Sequence, residues 1–103
     1  MNTEINELAL ILLPDVKKYL DITWDDENTD FKVLEYLENG IRELRMINPN
    51  ADFIRNEDGA RSLLFKRCLY EKSGKAKEFK DNYREDLMNF AFLYNEKEED
   101  ENG

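Results

Sequence analysis

The stretch Asp30-Phe31-Lys32-Val33-Leu34-Glu35-Tyr36-Leu37-Glu38-Asn39-Gly40-Ile41-Arg42-Glu43-Leu44-Arg45-Met46-Ile47 decides the fold class. Val33, Leu37, Ile41 and Leu44 step by four, four and three, which lays them along one stripe of a 3.6-residue helix. Thr29 or Asn28 is the expected cap at its start, and Asn48-Pro49-Asn50 ends it. Gly40 sits among the stripe residues, where it weakens a helix by about 1 kcal/mol relative to alanine unless a neighbouring backbone needs the space. Phe31 and Met46 fall off the stripe and are candidates for a second contact surface.

Upstream of this helix, Pro14 stands where a helix begins and Asp15 suits its positive end, so a short helix is expected from about 14 to 20. Val16, Tyr19 and Leu20 form its inward set. The preceding piece, Thr3 to Leu13, contains the apolar run Leu8 to Leu13 and reads equally as a helix or a short strand. Trp24 to Thr29 is a polar turn. Trp24, the one tryptophan, either covers the edge of the core or anchors a partner.

Downstream, residues 48 to 58 read as a loop. A third helix from about 58 to 72 carries Ala60, Leu63, Leu64 and Cys68 on one side and Phe65 and Leu69 on the other, the pattern of a central helix. Gly74 stops it. A long fourth helix from about 75 to 95 follows, with Phe79, Tyr83, Leu87, Phe90 and Tyr94 on its stripe. Advancing 100° per residue sets Met88 and Phe92 near the opposite side, together with Arg84. Residues 96–103 hold five acids, one lysine and no apolar group, which predicts a disordered tail. The expected architecture is therefore all-α: one domain over residues 1–95, a small bundle of about four helices with a long C-terminal helix, and an acidic disordered tail over 96–103.

The chain has 103 residues, no histidine, one cysteine and a net charge of −9. No intrachain disulfide and no thiolate zinc site can form, and the commonest general base is missing. The acidic balance argues against a binder of duplex DNA or anionic membrane, both of which call for clustered Lys and Arg. The longest apolar run is six residues, against about 20 for a membrane span, so a soluble protein of a reducing compartment is expected. A core this small leaves two-sided helices such as the second and fourth without enough protein to cover both sides, which favours a subunit or partner interface.

The motifs that suggest chemistry have plainer readings. Asp26, Asn28 and Asp30 alternate like the first ligands of an EF-hand loop, but Phe31 stands where that loop needs glycine and Leu37 where it needs glutamate. Capping acids at the second helix explain them better. Cys68 has no histidine or second cysteine beside it and reads as a buried small hydrophobe. The pairs Asp15/Asp21 and Glu85/Asp86 mark no pocket, and Ser73-Gly74-Lys75 lacks the rest of a phosphate loop. No catalytic residue, cofactor or metal is expected, and the chain is not expected to be an enzyme.

The run Asp15-Val16-Lys17-Lys18-Tyr19-Leu20-Asp21-Ile22, the following Thr23-Trp24-Asp25-Asp26 and the acid-capped helix after them resemble the small head-tail connector proteins of tailed bacteriophages and prophages, also described as head-completion or DNA-packaging adaptor proteins. The later order, a polar loop, an apolar helix around 63 to 70 and a long aromatic-bearing helix over 79 to 94, is similar too. The resemblance covers about residues 8 to 95 and implies a subunit of a ring of about twelve copies under the portal, closed by symmetry. Such a ring extends the DNA channel without sequence-specific binding and offers a docking surface to a stopper or tail-completion protein in the virion. The segment from about 94 to 103 would reach the portal protein. Trp24, Phe31, Met46, Arg84, Met88, Phe92 and Tyr94 are the interface candidates. A second class is an acidic helical decoy or regulatory module that covers a basic DNA-binding protein, supported by the charge of −9.

Overall fold

The computed structural model describes the backbone of residues 3–55 and 59–102 and the side chains of 4–55 and 59–93. Among the described residues every regular element is helical: α1 (Thr3–Tyr19), α2 (Glu27–Ile47), α3 (Ala60–Lys72), α4 (Ala76–Asn82) and α5 (Arg84–Asn102). The all-α expectation holds, with five helices in place of four. The backbone of residues 96–102, expected as a disordered tail, is described as the end of α5, and the side chain of Tyr94, an interface candidate, lies outside the described residues.

The N-terminal piece is helix, not strand, and it runs through Pro14 without stopping. Ile5, Ala9, Leu12 and Val16 step by four, three and four and are all buried, so one stripe defines the helix from its first turn. Proline removes the N–H that would bond the carbonyl of Leu10. Leu10 and Pro14 both lie on the solvent side, where water can take that carbonyl, so the helix tolerates the loss. Tyr19, expected inward, is exposed and leans on the Phe65 ring, with centroids 5.7 Å apart.

α1 ends in a left-handed residue, Asp21 at φ 60. Ile22 N–H donates to the Lys17 carbonyl at 2.8 Å and Asp21 N–H to that of Lys18 at 3.1 Å, the paired bonds of a Schellman motif. The same motif ends α3, with Gly74 at φ 75, Lys75 N–H on the Tyr70 carbonyl at 2.7 Å and Gly74 N–H on that of Glu71 at 3.0 Å. Ser73-Gly74-Lys75 is thus a helix-helix turn, as its sequence suggested.

α2 begins a turn earlier than expected because its cap is Asp26 rather than Thr29 or Asn28. The Asp26 carboxylate accepts from the Thr29 N–H at 3.3 Å and from the Thr29 hydroxyl at 3.0 Å. Val33, Leu37, Ile41 and Leu44 are buried against α1 and α3. Gly40 lies at the crossing with α3, where a Cβ would come within 2.5 Å of Leu64 Cδ1. The space is needed by a neighbouring side chain rather than by a backbone. α3 packs on α1, α2 and α4, which makes it central, though Leu69 stays exposed.

The expected fourth helix is broken at Tyr83, which has φ −114 and ψ 27. The hydrogen bonding passes through the break: Tyr83 N–H donates to the Phe79 carbonyl and Leu87 N–H to that of Tyr83, both at 2.9 Å. Tyr83 meets Tyr70 edge to face and lies tilted against Phe79, at centroid distances of 5.7 and 5.1 Å, so the ring cluster holds α4 on α3 while α5 turns toward α2. Phe79, Leu87 and Phe90 of the shared stripe are buried.

Candidate functional site

Two features of this fold offer surface for recognition: a charged cleft at the end of α1 and a set of apolar side chains facing solvent. The cleft lies between the end of α1, the following loop and the start of α2, and Leu13, Pro14, Lys17, Ile22 and Asp30 line it. The stem of Lys17 is buried, and its ammonium meets Asp30 at 2.9 Å and Asp25 at 3.1 Å. Asp30 first, then Asp25, holds the Lys17 pKa above its ordinary value against the opposing effect of desolvation. These acids therefore join the cap of α2 to α1, and their alternation in sequence has a structural cause. Among the described residues no group of acids, cysteine or histidine is placed to hold a metal ion.

The remaining titratable groups are likewise tied into the scaffold. Burial lowers the Arg67 pKa, but the Glu43 and Glu71 carboxylates more than offset this and hold it above its usual value. Arg67 binds both acids, Glu43 also takes Lys80 at 3.2 Å, and Glu71 accepts from Asn39 at 3.1 Å, so this network joins α2, α3 and α4. Asp15 is paired with Arg61, and Glu4 with Arg45 at 2.6 Å. Burial pushes the Cys68 thiol up to about 12, which suits a packing residue and not a nucleophile.

The exposed apolar residues form separate faces. On α5, Met88 is 65 % and Phe92 61 % exposed, one turn apart, opposite the side that buries Leu87 and Phe90. Arg84 is one turn before Met88 and exposed, paired only loosely with Asp81 at 3.6 Å. The geometry brings these three sequence candidates together. Phe31 and Met46 are also exposed, Met46 to 86 %, but they lie fifteen residues apart at the two ends of α2, about 22 Å along its axis. They do not join into one patch. Trp24 is exposed, and its indole N–H donates to the Thr29 hydroxyl at 3.2 Å, which fastens it over the start of α2.

One apolar face escaped the sequence reading. Leu10, Ile11 and Pro14 all lie on the outer side of α1, opposite Ile5, Ala9, Leu12 and Val16, with Ile11 63 % exposed. The continuous run Leu8 to Leu13 hid it, because such a run feeds both sides of a helix at once. Separating the run by its angle around the axis would have shown Leu10 and Ile11 to be surplus to the core stripe.

No protein-family profile matches the chain, and no curated protein and no solved structure is significantly similar to it. Among the described residues no helix is long and apolar enough to cross a membrane.

Proposed function

We propose that this chain is a head-tail connector subunit of a tailed bacteriophage or prophage, an adaptor that assembles as a ring under the portal. In this role it extends the DNA channel and gives the stopper or tail-completion protein a surface to dock on. The observation that carries the reading is the pair Met88 and Phe92, side by side on the solvent face of α5 in a small helical domain. Closed symmetry would remove these side chains from water, so the subunit is completed by its neighbours. The sequence resemblance over residues 8 to 95 supplies the finer identity, and the all-helical order of elements is compatible with it.

The function needs no bond-breaking chemistry. A net charge of −9 suits a channel wall along which DNA slides, since like charge repels phosphate and prevents sticking. This reading is favoured over a phosphate-mimicking decoy because Glu4, Asp15, Asp25, Asp30, Glu43 and Glu71 are each engaged by a cation of the chain itself. A mimic presents its acids bare.

The test is co-assembly with the portal protein of the same genome, read by negative-stain microscopy and sedimentation. Rings or portal-bound rings are expected from the wild type, and fewer from Met88→Ser/Phe92→Ser at unchanged helical content. A chain that stays monomeric and never joins the portal overturns the proposal.

A further inference from the structure

The outer face of α5 has a matching counterpart within the same molecule. On the outer side of α1, Glu7, Ile11, Pro14 and Lys18 are all exposed and step by four, three and four, the spacing of a helix-packing seam. On α5, Arg84, Met88 and Phe92 step by four along one side. From Glu7 to Pro14 is about 10 Å of helix and from Arg84 to Phe92 about 12 Å, so the two seams are of similar length. In each, a charged residue stands one turn before the apolar pair, acidic on α1 and basic on α5. We propose that the occupant of the α5 face is a second copy of this chain, which lays the outer face of its α1 there in parallel, with Glu7 at Arg84, Ile11 at Met88 and Pro14 at Phe92.

Charge selects this arrangement among the ways a second copy can cover the α5 face. Two α5 faces packed parallel set Arg84 against Arg84, and two α1 faces set Glu7 against Glu7. An antiparallel α1 on α5 brings Lys18 toward Arg84. Among pairings that use the α5 face, only the parallel mixed one joins opposite charges, and like-charge juxtaposition at an interface is strongly unfavourable. Two α1 faces packed antiparallel also bring Glu7 to Lys18, but leave Met88 and Phe92 in water. Arg84 is available for it, because its link to Asp81 is long and both side chains are largely exposed. Within one copy α1 packs on α2 and α3 while α5 packs on α2 and α4, so each outer face is left for another molecule. A contact between two different faces propagates head to tail, the geometry a ring requires when its rotation closes, whereas an α5 to α5 contact stops at a dimer. The inference rests on the self-assembling reading above and specifies its seam.

Site-directed cross-linking tests it. Cys68 is buried and serves as the native background. Ile11→Cys and Met88→Cys chains, differently tagged, are mixed under mild oxidation, free and after addition of portal protein. Cross-links are expected in the mixture and not in either variant alone. In a parallel assay of self-association by sedimentation, Glu7→Arg or Arg84→Glu alone is expected to weaken association roughly tenfold or more, and the double reversal to restore it. Cross-linking of Met88→Cys chains with one another as readily as in the mixture overturns the seam, as does its absence from the mixture or a double reversal that fails to rescue. Portal co-assembly without the Ile11 to Met88 cross-link removes the seam and leaves the connector reading. Cross-linking without portal co-assembly does the reverse.

Discussion

The side-chain amide of Asn48 donates to the Phe90 carbonyl at 3.3 Å, across 42 residues of sequence. Asn48 is buried, its backbone N–H closes α2 on the Leu44 carbonyl, and its side-chain oxygen accepts from the Asn50 N–H at 3.0 Å. One residue thus ends α2, shapes the following turn and seats α5, the helix that carries Met88 and Phe92. Asn48→Ala leaves buried polar groups without partners and is expected to cost about 1–3 kcal/mol. Urea unfolding gives the value, and a cost near zero would show that α5 is held by its apolar stripe alone.

Gly40→Ala reverses the usual helix rule. Alanine in place of a mid-helix glycine ordinarily stabilises by about 1 kcal/mol, but here its Cβ meets Leu64 Cδ1 at 2.5 Å. The expected outcome is a loss of roughly 1–3 kcal/mol from overpacking. In a Leu64→Ala background the same substitution should become neutral or stabilising, because the obstructing methyl is gone. Thermal melts of the four proteins close the cycle.

The two Schellman motifs predict opposite signs for two exchanges. Gly74→Ala forces a Cβ into a left-handed seat and should cost about 1 kcal/mol. Asp21→Gly relieves the same strain at the end of α1 and should gain about 0.5–1 kcal/mol. Equal shifts in one direction would rule out this account of the two turns.

Cys68 makes stability depend on alkaline pH. Its folded-state pKa is raised from 9.0 to about 12 by burial, so folding favours the protonated thiol. The stabilisation is complete below the unfolded value and is lost as pH rises from about 9 through 12. Lys17, also raised, acts in the same direction. Cys68→Ala should therefore flatten the decline of unfolding free energy above pH 9. In the native protein at pH 8 the thiol should resist a disulfide reagent until denaturant is added.

Breaking the network of α2, α3 and α4 has a defined cost. Arg67→Met removes the cation shared by Glu43 and Glu71, leaving two half-buried carboxylates with less compensation. A loss of about 3 kcal/mol is expected, read by urea unfolding of the variant and the wild type. An Arg67→Met variant as stable as wild type would show that apolar packing replaces the pair.

The amino-acid sequence determined what depends on local spacing. The stripe of Val33, Leu37, Ile41 and Leu44, the stop at Gly74, the place of Cys68 on an apolar stripe and the place of Met88 and Phe92 opposite the core stripe all follow from the angle between successive residues and from the absence of competing signals. The sequence also contained the stripe Ile5, Ala9, Leu12 and Val16, but the apolar residues between masked its period, and Pro14 marked a boundary that the fold ignores. What only tertiary structure decided depends on residues far apart. Asp26 rather than Thr29 caps α2 while its neighbours Asp25 and Asp30 hold Lys17. Phe53 leaves a polar loop to enter the core. Gly40 is required by Leu64, 24 positions away, and the long last helix breaks at Tyr83 because Tyr70 and Phe79 hold its ring. Which apolar residues become surface was decided the same way: helix periodicity marks two sides, and only the packing of five helices shows which side finds cover.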